Sequence, residues 1–465
     1  MTNAFLPPIK GVNRCDAISY QELLDQDPLP SPAFLRTERA VDLGVDPIRA
    51  DRYTSKDFFE REVRAVWLRT WQYVCRQEQI PNPGDTHVFD LVGHSAIVVR
   101  QKDGSLKAFQ NVCRHRGRKL VTHSGCNARL RCPFHGFTWN IDGSFRENPI
   151  KWDFPQIDDA QFGLPHIPVD SWGGFIFINF DRNALSLHSV AAPMPAHFEH
   201  WGIADCYQSA HVAKVIPANW KAVVEAFIES HHVLTTHPQL SPYTGDANSQ
   251  YDILSDHVCR FITPLGTPSP LVDNEGLSPA KLVEIWFSKG SRAGPASADD
   301  AFKEGDTPRE FAARIARRTW AQRTGRDYSK VSQTDLIDAF SYNMFPAFSV
   351  WGGIGTHIGY RWRPWEGRVD RTLMETFLFA PVPTQGERPP PAPMRFLAED
   401  EPWKNAPELG YLGPVYDQDQ VNLQPVQQGL EALGEGVIQF GRYSEMRCRH
   451  LHRMVDRYIR EYETA

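Results

Sequence analysis

Four residues constrain this chain more than any others: Cys113 and His115 in one short run, Cys132 and His135 in a second. The Cys-x-His then Cys-x-x-His layout supplies one thiolate and one imidazole from each of two loops. That donor set suits a two-iron, two-sulfur cluster in which two thiolates hold one iron and two neutral imidazoles hold the other, with a reduction potential above that of an all-cysteine cluster. Zinc also takes Cys and His, but its structural modules usually pair Cys-x2-4-Cys with His-x3-5-His rather than one of each per loop. A chain built around such donors needs two tight loops side by side and handles single electrons.

The flanking residues provide those loops. Asn111-Val112-Cys113-Arg114-His115-Arg116-Gly117 and Cys132-Pro133-Phe134-His135-Gly136 carry glycine and proline, which let backbone amides turn toward a charged centre. Beyond the ligand pairs the chain resembles Rieske proteins of the oxygenase kind. Respiratory-chain Rieske proteins have an additional disulfide beside their ligands, and the corresponding places here are Arg118 and Phe134, which favours the oxygenase branch.

A length of 465 residues allows a substantial core and suggests two domains; an electron carrier alone would not need it. The net charge of -6 is spread through the chain without a basic block, which argues against nucleic acid or a membrane surface as partner. Met1 to Lys10 lacks a basic stretch followed by an apolar run, and no uninterrupted apolar segment reaches about 18 residues, so the sequence reads as soluble and cytoplasmic. Cys15, Cys75, Cys126, Cys206, Cys259 and Cys448 are scattered, as expected of thiols in a reducing compartment.

From about 60 to 180 the texture is short strands cut by turns: Trp71 to Cys75, Thr86 to Leu91, Ala96 to Arg100 and Gly174 to Phe180, with Asp103-Gly104 and Asp142-Gly143 as turn signals. This predicts an all-β domain with the metal loops at its tip. Past residue 215 a helix, strands around 338 to 382 (Phe348 to Trp351 and Thr372 to Phe379 among them) and a helical C-terminus predict an α+β unit. The expected division is an N-terminal segment, 1–50, packed on the catalytic part; an iron-sulfur domain, 51–180; and a catalytic domain, 181–465. Within the last, a helical insertion at about 270–335 carries helix-like stretches Ser278 to Ser288 and Thr307 to Gly325, and reads equally as a lid or an outer layer. Pro389 to Pro393 is a stiff connector.

Asn219 to His232 has apolar residues at 220, 223, 224, 227 and 228, the stripe of an amphipathic helix capped by Asn219. Glu225, Glu229 and His232 follow at i+4 and i+3 along one ridge, whereas His237 lies roughly 140° round from His232 on a regular helix, so the helix must loosen or end between the two histidines. Two imidazoles and one carboxylate from elsewhere form the face that leaves positions open on ferrous iron for dioxygen. His231 projects from the apolar stripe and reads as a packing residue, and Glu225 as structural. Asn-Trp-Lys, an acid, two positions, His, four positions, His-Pro is similar to the catalytic motif of Rieske non-haem iron oxygenase large subunits, the aromatic ring-hydroxylating dioxygenase family. It is carried here by Asn219, Trp220, Lys221, Glu229, His232, His237 and Pro238. That resemblance implies a helix-grip-like α+β catalytic fold with an antiparallel sheet. It also implies a distal aspartate in the acidic run before a Gln-rich helix, for which Asp419 is chosen and Asp417 is the runner-up.

The same resemblance makes Glu229 the bridge that carries electrons from His135 of one subunit to His232 of its neighbour, a place more often held by aspartate. Ala226 stands where many ring-dihydroxylating members have asparagine. The activity it implies is a terminal oxygenase with a [2Fe-2S] cluster and a mononuclear Fe(II), using O2 on an aromatic or other apolar ring substrate. Monooxygenation or oxidative demethylation is the alternative, and an electron carrier or zinc-stabilised binding protein is the answer of a different class. No Gly-x-Gly-x-x-Gly stands between a strand and a helix, so NAD(P)H electrons would come through a separate reductase, with or without a ferredoxin. A homotrimer, with or without a small β subunit, is implied. Phe227, Leu234, Phe345 and Trp351, with Phe340 and Phe348, are candidates for an apolar substrate pocket.

Overall fold

Valine, isoleucine and phenylalanine runs punctuated by Asp-Gly turns make strands of the first half of the chain. The computed structural model describes residues 17–288, 290–297 and 300–464; Met1 to Lys10 and Cys15, both read above, lie outside the described residues. A five-stranded sheet runs in the order His166–Ile167, Leu106–Gln110, His94–Arg100, Asp85–Leu91, Gly125–Cys126. Beside it lie two three-stranded sheets, one of Leu130–Arg131, Thr138–Trp139 and Phe145–Glu147, the other of Val169–Trp172, Phe175–Ile178 and Gln72–Arg76. The four strands expected here agree with the observed ones to within two residues at each end.

The second half is organised by an eight-stranded sheet. Its order is Gln250–Ile253, Val258–Thr263, Ala339–Met344, Phe348–Trp351, His357–Pro364, Thr372–Pro381, Cys206–Ile216 and Arg395–Leu397. Neighbours pair antiparallel except the last pair, which is parallel. The chain is thus α+β with antiparallel sheets. Besides the three-residue edge strand Arg395–Leu397, three of these strands, Cys206–Ile216, Gln250–Ile253 and Val258–Thr263, were not anticipated. They are buried along nearly their whole length on both faces, so no polar alternation marks them. Cys206–Ile216 also buries His211 and Lys214, which disguise it further.

An ion pair inside the protein ties the halves together. Arg361 grips Glu375 across the sheet at 2.6 and 2.7 Å and donates its third nitrogen to the carbonyls of Tyr73 (2.8 Å) and Val74 (2.6 Å), on the Gln72–Arg76 strand. One continuous apolar core then runs from Val74 and Val98 through Trp220, Trp362 and Tyr416 to Met454.

The helix after Asn219 differs from expectation. Asn219 does cap it, accepting from the Lys221 N–H at 3.0 Å, but regular α-helix covers only Trp220–Glu225, and a separate single turn covers Val233–Thr236. Nor is it amphipathic. Lys221 is as buried as Trp220 and Val224, because Glu62 meets its ammonium at 2.7 Å and also takes the Trp220 indole N–H at 3.1 Å. Among the insertion helices, Pro308–Thr324 has the capping box that its sequence spells, Thr307 with Glu310, and ends at Gly325 with φ +72°. Pro279–Ser288 matches the other expected stretch.

The Glu62–Lys221 pair positions the helix that leads to His232, and its energetics are testable. Glu62→Leu or Lys221→Met alone is expected to cost about 3–5 kcal/mol, because each leaves a buried charge uncompensated, while the double variant costs less than either. Urea unfolding followed by tryptophan fluorescence measures the three values; a double variant less stable than both singles contradicts the account.

Candidate metal centres

The two cysteine loops repeat one hydrogen-bond pattern. The Cys113 N–H donates to the Arg118 carbonyl (2.7 Å) and the Gly117 N–H to the Cys113 carbonyl (2.9 Å). In the second loop the Cys132 N–H donates to Phe137 (2.8 Å) and the Gly136 N–H to Cys132 (3.0 Å). Gly117 and Gly136 sit at φ +75° and +78°, and at Gly136 a Cβ would meet Pro149 at 2.9 Å, so side-chain-bearing residues fit this turn poorly. The pairing brings His115 and His135 to a ring separation of 4.7 Å and lays His115 on Phe137. Both thiols are buried. Burial and the adjoining Cys132 thiol together raise Cys113, against the His115 and Arg116 backbone N–H groups. The His135 Nδ1 is buried with no hydrogen-bond partner.

Farther along, the break between Trp220–Glu225 and Val233–Thr236 places His232 and His237 at the two ends of a single helical turn. Ser230 pins that break, taking its contacts from Tyr251 (2.7 Å) and Ser249 (2.9 Å). The His232 Nε2 stands 3.7 Å and the His237 Nε2 2.8 Å from the Asp419 Oδ1. Ligand atoms of His232, His237 and Asp419 all lie within 4.8 Å of one another. Asp419 comes from the Leu412–Leu433 helix, where Asp417 faces elsewhere: it accepts the Trp403 N–H at 2.6 Å and the Lys404 N–H at 3.3 Å.

Each histidine is oriented by its other nitrogen. Gln418 Oε1 receives both the His237 Nδ1 (2.8 Å) and the Gln239 amide (2.7 Å), which leaves the His237 Nε2 lone pair toward Asp419. Glu229 receives the His232 Nδ1 and also the His232 backbone N–H at 3.2 Å. Burial would raise the Glu229 carboxyl, but the His232 and His231 imidazoles outweigh it and hold the group at about 2. His231 is not a packing residue: its side chain is 46% exposed and its Nδ1 contacts Glu229 at 2.7 Å. Glu225 pairs with Tyr53 and His452, each at 2.8 Å, away from this centre. Gln239 and Gln418 escaped the sequence reading, since a lone glutamine carries no signal of what it orients.

The three side chains open onto a cavity of about 670 Å³, within the range of about 300–1,000 Å³ usual for small-molecule sites. Phe227 and Trp351 line it as anticipated. Leu234 does not; on the single helical turn it is the preceding Val233 that faces the cavity. Phe345 stacks on Tyr458 in the core instead, while Phe340 packs on Trp201 and Phe348 on Tyr73. The insertion forms an outer layer and also supplies part of the cavity wall. Its two helices form an outer layer around Trp286, Phe311 and Trp320, and the segment after the first, with Gly290, Ser291 and Arg292, walls the cavity.

Residues 70–157 match the Rieske [2Fe-2S] domain, and residues 197–461 match the ring-hydroxylating alpha subunit (catalytic domain). The chain belongs to the ring-hydroxylating alpha-subunit family. Among curated relatives of this family member, the carnitine monooxygenase oxygenase subunit of Acinetobacter baumannii is 31% identical over 192 residues, 40% of this chain and 51% of that protein. The large oxygenase component of the naphthalene 1,2-dioxygenase system of Pseudomonas fluorescens is 34% identical over 201 residues, 41% and 44% of the two chains. The chain thus spans about half the length of the curated relatives it matches. In fold it is similar to a quaternary ammonium Rieske monooxygenase (TM-score 0.61, 18% identity, covering 90% and 96% of the two chains) and to naphthalene 1,2-dioxygenase with indole bound (0.60, 19%, 90% and 93%).

A Rieske [2Fe-2S] domain implies that cluster, and the catalytic domain of this family implies a mononuclear iron. The residues present fit both groups: two buried thiols beside two imidazoles, one with an unpartnered buried nitrogen, and a separate pair of Nε2 atoms converging on a carboxylate. Asp419→Ala is expected to lower the iron content from about three to about two per chain while the visible absorption of the cluster persists. Asp417→Ala should keep all the iron and lose stability; total iron by mass spectrometry decides, and the opposite pattern would exchange the two roles.

Proposed function

We propose that this chain is the terminal component of an oxygenase that takes electrons through a [2Fe-2S] cluster to a mononuclear Fe(II) and uses O2 to hydroxylate an aromatic or other apolar ring substrate. Cys113, His115, Cys132 and His135 would hold the cluster, and His232, His237 and Asp419 the single iron. The observation that carries this reading is the convergence of those last three side chains on the wall of a largely apolar cavity.

Bound there, the metals supply O2 activation and one-electron delivery. The chain supplies everything else. Gln418 and Glu229 keep protons on the two Nδ1 atoms so that both Nε2 atoms stay available. Phe227, Val233 and Trp351 exclude water and orient a ring against the metal-binding face. Glu229 already touches His232, which supports its role as the electron bridge to His135 of a neighbouring copy. That role entails an assembly of several copies, for which a homotrimer is proposed, with or without a small β subunit. Electrons would come from NAD(P)H through a reductase, with or without a ferredoxin.

No helix among the described residues is long and apolar enough to cross a membrane; a cytoplasmic setting and a role in aromatic hydrocarbon catabolism are part of the proposal. The proposed domain division stays at 51–180 and 181–465, after the 1–50 segment. A second reading, monooxygenation or oxidative demethylation, is favoured by the carnitine monooxygenase likeness together with Glu229 and Ala226.

Turnover under 18O2 with product mass analysis separates the chemistries: two labelled oxygens for dihydroxylation, one for monooxygenation, formaldehyde for demethylation. No labelled product from any substrate, with both metal centres full, counts against the oxygenase reading itself. Glu229→Gln is expected to lower product formation about 10- to 100-fold, the usual effect of removing a group that orients a metal ligand, with cluster absorption unchanged.

A further inference from the structure

One wall of the cavity is charged. Arg292, from the insertion, lines it. Its Nη1 donates to the Asp338 backbone carbonyl (3.1 Å) and its Nη2 to the Gly352 carbonyl (2.9 Å). Among the described residues no carboxylate lies within ion-pair reach of it. The acid nearest in influence, the Asp338 side chain, is already committed: Arg309 holds both of its oxygens at 2.7 and 3.0 Å. Arg292 is half-buried, yet desolvation is the main influence on its guanidinium, the combination expected of a side chain whose free face is a cavity wall. A guanidinium keeps its charge, and a shielded charge met only by two carbonyl dipoles and the Trp351 ring is costly unless an anion joins it.

A second donor stands beside it. Trp351 also lines the cavity: the Arg292 guanidinium carbon stands over its ring, 6.0 Å from the centroid, and its indole N–H is buried with no hydrogen-bond partner. The other charged side chains on the wall, Glu229, His232, His237 and Asp419, pair with one another at the metal end. Tyr360 lines the same cavity, and its phenol feels both the Asp419 carboxylate and the Arg292 guanidinium.

We propose that the substrate is an acid: its carboxylate is held by Arg292 and the Trp351 indole N–H, and its apolar ring lies along the wall toward His232, His237 and Asp419. This rests on the oxygenase reading and narrows its substrate class. A guanidinium paired with a carboxylate gives charge-assisted, often bidentate hydrogen bonds that an ester or amide cannot match. A bare quaternary ammonium ion would meet like charge here, whereas a zwitterion would still present its carboxylate.

Calorimetric titration of the iron-loaded protein with 2-naphthoate against 2-naphthamide, and with benzoate against benzamide, tests it. The acid of at least one pair is expected to bind about tenfold tighter or more than its amide. Arg292→Met is expected to abolish that preference, and Arg292→Lys to retain part of it. Equal binding of acid and amide in both pairs, binding of neither acid, or an acid preference that survives in Arg292→Met overturns the proposal. The acid-against-amide comparison in the unaltered protein stands even where Arg292→Met fails to fold. Iron content and cluster absorption of the same samples report separately on the oxygenase reading: an iron-free, colourless protein sinks that reading, while a loaded protein indifferent to the carboxylate sinks the acid proposal alone.

Discussion

A carboxylate and two imidazoles from distant parts of the chain have to meet, nearly dry, with their lone pairs aimed at one point. The Leu412–Leu433 helix meets this demand by turning about 100° per residue. Its successive side chains Asp417, Gln418 and Asp419 reach three different neighbours: the backbone at Trp403 and Lys404, the far side of His237, and the point between the two histidines. Asp417 fixes the helix from outside and Gln418 fixes the histidine it serves. With those two in place, Asp419 has little freedom left.

The histidines depend on a second geometric device. A continuous helix from Asn219 would have turned His237 away from His232, and it would also have left Glu229 on a ridge with Glu225. The chain instead leaves the helix after Glu225 and re-enters for one turn, so that both rings flank Val233–Thr236. Ser230, bonded to Tyr251 and Ser249 on the neighbouring strand region, holds the intervening coil. The buried Lys221–Glu62 pair anchors the incoming end. The candidate metal-binding face is therefore set by one helix that rotates its residues apart and another that stops in time.

What was legible in the sequence follows from which forces were local. Thr307, Glu310 and Gly325 write both ends of a helix into the chain, and the structure reads them as written. The paired cysteine loops are equally local, each closed within six residues by its own glycine and backbone bonds. Cys206–Ile216 was hidden because its neighbours, Thr372–Pro381 and Arg395–Leu397, lie far off in sequence and supply a partner for His211 in Glu375. The cavity wall was hidden for the same reason. Phe345 and Trp351 are similar apolar candidates by sequence, yet one stacks on Tyr458 and the other faces the cavity. Nothing in the residues themselves distinguishes them.

Glutamate at position 229 shows how one extra methylene can be absorbed. In the coil past Glu225 the side chain takes the His232 Nδ1 on one oxygen and the His232 backbone N–H on the other. That second oxygen also holds His231, whose ring is nearly half exposed. The bridge proposed for Glu229 would bring His135 of a neighbouring copy to this oxygen, beside or in place of the half-exposed His231 ring. Such an exchange would trade one imidazole contact for another on that oxygen and leave the contact between the other Glu229 oxygen and the His232 Nδ1 in place.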